Sequence, residues 1–225
     1  MPLPLIGRFI DIGQWDTFRA ATDVPSLEGK VILVTGATSG IGKQTVLDLA
    51  QHGRPERIFI TARNAAKAQA TIAEIEEQVP SAKGKLAAIP LDLASLESVR
   101  DGARLVVQQT DRLDVLMLNG GVMLAPAEVT KDGYEPHLGV NHLGHALLGK
   151  LLLPTLLRTA EQQPGADVRV VVASSAAISL GGRDGVNYAQ AKTPTGGIFF
   201  SFARYGQSKM ANSMWAAELA RRYPA

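Results

Sequence analysis

The sequence predicts an α/β protein built on a doubly wound parallel sheet. Two observations carry that prediction. Short runs rich in Val, Ile and Leu alternate with amphipathic stretches along most of the chain. A glycine-rich turn, Gly36 to Gly42, lies between the first apolar run and the first helical pattern.

Each element follows in order. Val31–Thr35 is short, apolar and bounded by turn residues, as a strand buried on both faces is. The glycines then open a helix over Ile41–Gln51. Arg57–Thr61 reads as the second strand, and the Ala-rich Ala65–Gln78, with its charged face, as the second helix. Leu86–Pro90 is the third strand. In Leu96–Gln109, residues Leu96, Val99, Ala103 and Val106 recur at helical spacing. Val115–Leu118 is the fourth strand. Gly133–Ala160 reads as one long apolar helix that Pro154 bends. Val168–Ala173 is the fifth strand and Tyr205–Arg222 the last helix. Between these two, Ser179–Ala203 is rich in glycine and carries Tyr188, Phe199, Phe200 and Phe202. It reads as a long functional loop. Crossovers are expected to be right-handed. The domain is read as a doubly wound Rossmann sheet with strand order 3-2-1-4-5, the usual strands 6 and 7 being absent. Residues 1–28 read as an N-terminal arm and 29–225 as one nucleotide-binding domain.

Composition narrows the function. The 225 residues suffice for a large core, and 46% apolar with 20% charged residues is the balance of a soluble globular protein. A net charge of +2 without a Lys/Arg run argues against nucleic acid. The lack of cysteine excludes disulfides, thiolate metal sites and cysteine nucleophiles. The histidines show no metal-ligand spacing, and His142 and His145 read as satisfied helix residues. Residues 1–29 contain Arg8, Asp11, Asp16, Arg19, Asp23 and Glu28, with neither a signal-type apolar run nor a membrane span. A soluble, cytoplasmic protein is expected.

Gly36, Gly40 and Gly42 let the backbone turn tightly and approach a pyrophosphate at a helix N-terminus. The spacing also suits a turn that binds nothing, but its place in the first βα turn favours a nucleotide. The acid that binds a ribose 2′-hydroxyl after the second strand is missing, and Arg63 stands there instead. The guanidinium fork matches a 2′-phosphate, which points to NADP(H). Asp92, in Leu91-Asp92-Leu93, suits either an adenine amino group or a helix cap.

Tyr205 and Lys209 are four apart and share a helix face. A free phenol titrates near about 10, and a nearby ammonium favours the phenolate. Such a phenol can give a proton to a carbonyl as hydride arrives, while Lys209 also suits the nicotinamide ribose. Ser174-Ser175 end the fifth strand, where a hydroxyl can hold a substrate carbonyl or cap a turn. Asn141, inside an apolar helix, needs partners: a packing hydrogen bond, or a water leading to Lys209.

Four segments together resemble the short-chain dehydrogenase/reductase family, in its retinol-dehydrogenase-like and WW-domain-oxidoreductase-like branch. They are T-G-A-T-S-G-I-G-K from Thr35, L-D-V-L-M-L-N-G-G-V-M from Leu113, D-G-Y-E-P-H-L-G-V-N-H-L-G-H from Asp132 and Y-G-Q-S-K-M-A-N from Tyr205. The likeness runs from about Lys30 to Pro224. It implies a tetrad of Asn141, Ser175, Tyr205 and Lys209, with Tyr205 as acid/base. It implies cofactor contacts at Gly36, Thr38, Ser39, Gly40, Ile41, Gly42, Arg63, Asp92, Leu93, Asn119 and Gly120, as well as at Tyr205 and Lys209. The function implied is an NADP(H)-dependent carbonyl reductase or alcohol dehydrogenase on a hydrophobic small molecule.

Two departures from the family pattern bear on this. Leu118-Asn119-Gly120-Gly121 stands where the family has N-N-A-G, so a polar link between strands is expected to be lost. Family members continue past the Tyr/Lys helix with a sixth strand, a P-G motif, a lid and a seventh strand. A C-terminally truncated domain is therefore expected, with an apolar edge strand that invites self-association or lowers stability, and with weak turnover. The rival expectations are a nucleotide-binding paralogue serving as a regulatory or interaction module, and a lyase or epimerase using the same Tyr/Lys pair.

Overall fold

A computed structural model describes residues 18–162, 166–182, 185–194 and 196–224, so residues 1–17 of the expected arm lie outside the described residues. Five parallel strands form one sheet: β1 (Val31–Val34), β2 (Arg57–Ala62), β3 (Leu86–Pro90), β4 (Val115–Leu118) and β5 (Arg169–Val172). Their order is β3-β2-β1-β4-β5, as the sequence predicts. Among the described residues, six α-helices accompany them: α1 (Ala20–Asp23), α2 (Gly40–Asp48), α3 (Ala65–Gln78), α4 (Leu96–Gln109), α5 (Gly144–Gln162) and α6 (Gly197–Arg222).

Strand periodicity builds the two layers. Successive side chains of β1 point to opposite faces. Leu33, with Phe59, Leu116 and Leu118, packs against Val99, Val106, Leu148 and Leu152 of α4 and α5. Ile32 and Val34, with Ile58 and Ile60, pack against Val46, Ile72 and Ile75 of α2 and α3. Both faces of the central strands are therefore dry, and only apolar residues suit them. Side-chain caps start two of the helices. Asn64 Oδ1 accepts the Lys67 N–H at 2.9 Å, and Ser95 Oγ accepts the Ser98 N–H at 3.3 Å.

At the end of the sheet remote from the glycine turn, Asp114 is fully buried between β1 and β4. It accepts the Val31 N–H at 2.9 Å, both arms of Arg112 at 2.7 Å, and Lys30 at 3.2 Å. Burial pushes its carboxyl up, but the hydrogen bonds from Arg112, Val31 and Lys30 hold it below the ordinary carboxylate value.

Three elements differ from the sequence reading. α2 continues into a π-helical turn, Leu49–Gly53, which Arg54 closes in the left-handed region at φ 54°. The long apolar helix opens with a π-helical segment, His137–Leu143, and α5 then runs unbroken through Pro154. α6 begins at Gly197 rather than Tyr205, and the expected loop before it also holds 3₁₀ turns at Ala176–Leu180 and Tyr188–Gln190. The first turns of α6 expose Phe199 and Phe200, so these aromatics do not hold the helix in place. Packing of the helix on the π-helical segment and the first 3₁₀ turn holds it instead. No helix among the described residues is long and apolar enough to cross a membrane.

Candidate active site

The turn after β1 is built by close backbone approach. Gly36 has φ +67°, and a Cβ there would lie 2.6 Å from Gly120 Cα. A Cβ on Gly42 would lie 2.4 Å from the Gly36 carbonyl oxygen. Neither neighbour is a flexible side chain, so only glycine fits. Thr35 ties the turn to the end of β4. Its Oγ1 accepts the N–H groups of Asn119 and Gly120, each at 2.9 Å, and Asn119 Nδ2 donates to the Thr35 carbonyl at 3.1 Å. The polar link expected to be lost is thus supplied by Thr35, the residue after β1.

Around this turn lies a cleft of about 370 Å³. Gly36, Thr38, Ser39, Ile41 and Gly42 form one wall, and Asp92, Leu93, Asn119 and Gly120 another. Gly40 opens α2 but does not line the cleft. Ser39 makes no side-chain cap, so the first N–H groups of α2 remain open to an anion. Arg63 and Lys67, one turn apart, complete the rim. Neither is held by a carboxylate among the described residues, whereas Lys43 is taken by Glu74 at 2.6 Å. Lys67 escaped the sequence reading because an exposed helical lysine is usually just solvated; its spacing from Arg63 was the signal. Asp92 does not cap α4, since Ser95 does. Its Oδ1 accepts the Ala94 N–H at 3.0 Å and its N–H donates to Ser98 Oγ at 2.9 Å.

α6 presents the second cluster. Lys209 is buried, its Nζ donates to the Ala173 carbonyl at 3.0 Å, and it stands 5.7 Å from the Tyr205 ring centroid. Burial lowers the pKa of its ammonium. Asn141 is fully buried. Its Oδ1 accepts the Val122 N–H at 2.8 Å, and its Nδ2 donates to the Val122 carbonyl and to Ser208 Oγ, each at 3.0 Å. The packing hydrogen bonds expected of this amide are therefore present. Asn141 and Lys209 meet at Gly121, where a Cβ would lie 3.0 Å from Oδ1 of one and 3.8 Å from Nζ of the other.

The two serines after β5 divide their tasks. Ser174 Oγ donates to the Lys209 carbonyl at 3.0 Å and is 2.9 Å from Ser213 Oγ, so it fastens α6. Ser175 caps the following 3₁₀ turn by accepting the Ala177 N–H at 3.2 Å. The structure joins Tyr205, Ser208, Lys209 and Asn141. It places Ser175 near the same strand end with no hydrogen bond to them among the described residues.

His145 links the two clusters. Its Nδ1 is 2.9 Å from the Asn141 carbonyl, which only accepts, so that nitrogen carries the proton. Its Nε2 then accepts from Thr35 Oγ1 at 2.8 Å. Burial, first among the causes, brings its pKa down to about 4. The sequence reading of a satisfied helix residue misses that it spans from the glycine turn to Asn141.

The model of the family described as short chain dehydrogenase matches residues 30–204. An uncharacterized oxidoreductase of Schizosaccharomyces pombe is 40% identical over 200 residues, covering 89% of this chain and 58% of the relative. Retinol dehydrogenase 11 of Homo sapiens is 36% identical over 222 residues, covering 99% and 63% respectively. The chain thus spans roughly three fifths of the length of these relatives. Among solved structures, the RhlG/NADP active-site complex of Pseudomonas aeruginosa superposes with a TM-score of 0.64 at 29% identity, covering 88% of this chain and 68% of that one.

Proposed function

The chain belongs to the short-chain dehydrogenase family, and from that premise we propose that it is an NADP(H)-dependent oxidoreductase interconverting a carbonyl and an alcohol on a hydrophobic small molecule. The observation that carries this reading is the junction of the two clusters. Gly121 and Val122 line the nucleotide cleft, Val122 is hydrogen-bonded to Asn141, and a Cβ on Gly121 would come within 3.8 Å of Lys209 Nζ. A nucleotide lying along the glycine turn would therefore end beside the phenol and the ammonium.

The residues fit the cofactor. Open N–H groups at the start of α2 suit a pyrophosphate, and Arg63 and Lys67, held by no carboxylate among the described residues, suit a 2′-phosphate. RhlG, named as an NADP complex, supports the same choice. NADP(H), when bound, supplies or takes the hydride. Tyr205 gives its phenolic proton to the carbonyl oxygen, or takes one from the alcohol. Lys209 stabilises the negative charge left on the phenol oxygen, and its contact with Ala173 fixes its own position. Ser175 offers its hydroxyl to the carbonyl, and Asn141 holds the Val122 backbone that floors the site. Ile178, Leu180, Tyr188, Phe199 and Phe200 are exposed on the segments leading to Tyr205, which favours an apolar substrate. Residues 29–225 act as the nucleotide-binding domain and 1–28 as its arm.

Replacing Tyr205 with Phe tests the reading. Reduction of benzil, a hydrophobic diketone, should fall to background while NADPH still quenches tryptophan fluorescence with parental affinity. Parental turnover in Tyr205→Phe would assign the proton elsewhere, and equal affinity for NADPH and NADH in the parent would remove the 2′-phosphate from the argument.

A further inference from the structure

Two buried ionisable side chains beside Tyr205 have no part in the chemistry above. Glu135 and His137 are 1% and 0% exposed, and His137 Nδ1 is 2.6 Å from Glu135 Oε1. The other carboxylate oxygen of Glu135 accepts the Leu138 N–H at 2.8 Å. The Ala125 backbone N–H, which can only donate, lies 3.3 Å from His137 Nε2. That nitrogen is therefore the acceptor, and the ring proton sits on Nδ1, aimed at Glu135. Ser201 Oγ approaches the same Nε2 at 3.4 Å, and its hydroxyl serves as a second donor.

Four stretches of chain converge on this pair. Ala125 belongs to the loop after β4. His137 opens the π-helical segment, and Glu135 lies two residues before it. Ala191, whose carbonyl accepts the Glu135 N–H at 2.8 Å, precedes α6. Ser201 lies on α6 one turn before Tyr205, and so on the same face. The His137 ring meets the Tyr205 ring edge-on, with centroids 6.3 Å apart and planes at 76°. Lys209 stands 5.7 Å from that tyrosine ring.

We propose that His137, oriented by Glu135, is a positioning residue for Tyr205. Its edge holds the phenol ring, and its Nε2 holds the α6 turn from which the ring projects. This rests on Tyr205 being the proton donor. The role needs a donor toward Glu135, an acceptor toward Ala125 and Ser201, and a flat body against the tyrosine. Glutamine can supply all three with its amide; alanine supplies none.

The test uses the full chain with NADPH and benzil, and fluorotyrosine placed at position 205 as a reporter. In His137→Ala, kcat should fall about a hundredfold, the scale of a misplaced reacting group. The NADPH affinity should stay parental, and the fluorine resonance should broaden or split. His137→Gln should restore a single sharp resonance and bring kcat back to within a few-fold. Should His137→Ala fail to fold, His137→Gln alone decides: folded and impaired, it overturns the proposal. An unchanged fluorine spectrum in His137→Ala also overturns it. The reading of Tyr205 fails separately, by turnover in Tyr205→Phe, and the fluorine spectrum reports positioning whether or not that reading stands.

Discussion

The two halves of the sheet hold their parts of the site in different ways. On the nucleotide side β1 is buried along its whole length and β2 along all but its first residue, and the ligand wall is backbone meeting backbone at Gly36, Gly42 and Gly120. On the side of β5, alternate strand residues are exposed, and the chemistry is carried by side chains of α6 held in place by hydrogen bonds. The first half is specified by what cannot fit and the second by what must be paired. Substitutions should therefore fail in the first half through packing and buried charge, and in the second through lost orientation.

The largest expected effect lies at the end of β1 and β4 remote from the glycine turn. Asp114→Ala leaves Arg112 and the Val31 N–H without their shared acceptor. Breaking such a buried pair costs about 3–5 kcal/mol, to be read from urea unfolding. A loss below about 1 kcal/mol, typical of surface pairs, would show that this buried carboxylate is not what the fold depends on.

Next comes acid, acting on the residue that joins the halves. The folded His145 titrates at about 4, below the unfolded value of 6.5. Between these values the unfolded chain binds the proton that the folded chain refuses. Stability present above pH 6.5 is thus lost as pH falls toward 4. Each unit is worth about 1.4 kcal/mol, on the order of 3 kcal/mol in all. Denaturant titrations across this window should show the slope in the parent and most of it gone in His145→Gln. An equal slope in both would place the acid sensitivity elsewhere.

A smaller effect is expected at the rim of the cleft. Arg63→Ala should weaken NADPH by about 1.5–3 kcal/mol, the worth of a hydrogen bond to a charged group. NADH affinity and the melting temperature without ligand should be unchanged, which separates binding from packing within the nucleotide half. The smallest effect belongs to the other side. Phe199, 86% exposed, should tolerate Ser within about 0.5 kcal/mol. A larger loss would mean that the aromatic segment before Tyr205 is part of the packed body.

What the sequence made legible follows the same division. All five strands were readable, because strands buried on both faces must be short apolar runs, and the sheet order followed from the doubly wound fold that the family resemblance implies. Of the residues assigned to the cofactor turn, only Gly40 stands off the cleft. The second half was read through its Tyr205–Lys209 spacing, but its supports were not. The contacts of Asn141 with Val122, of His137 with Ala125 and Ser201, and of Ser174 with Lys209 join residues distant in sequence. No local periodicity records them. The early start of α6 was missed because Gly197 and the exposed aromatics after it look like a loop, and because the helix is fixed by what it rests on.

The π-helical segment before α5 carries one more consequence. A π turn holds one residue more than an α turn, so His137–Leu143 behaves as an insertion absorbed within the helix. Removing any single residue there would let an ordinary α-helix form, at little cost to its own hydrogen bonds. Residues before and after the cut would keep roughly their relative phase, because the π turn takes up the extra residue without carrying it into α5. Leu148, Leu152 and Leu156 would stay on the core face, and the shift would fall on the segment itself, where Asn141 and His137 sit. In the middle of α5, by contrast, a single codon deletion turns the remainder of the helix by about 100°. A deletion scan read by stability should find this stretch more forgiving than the body of α5.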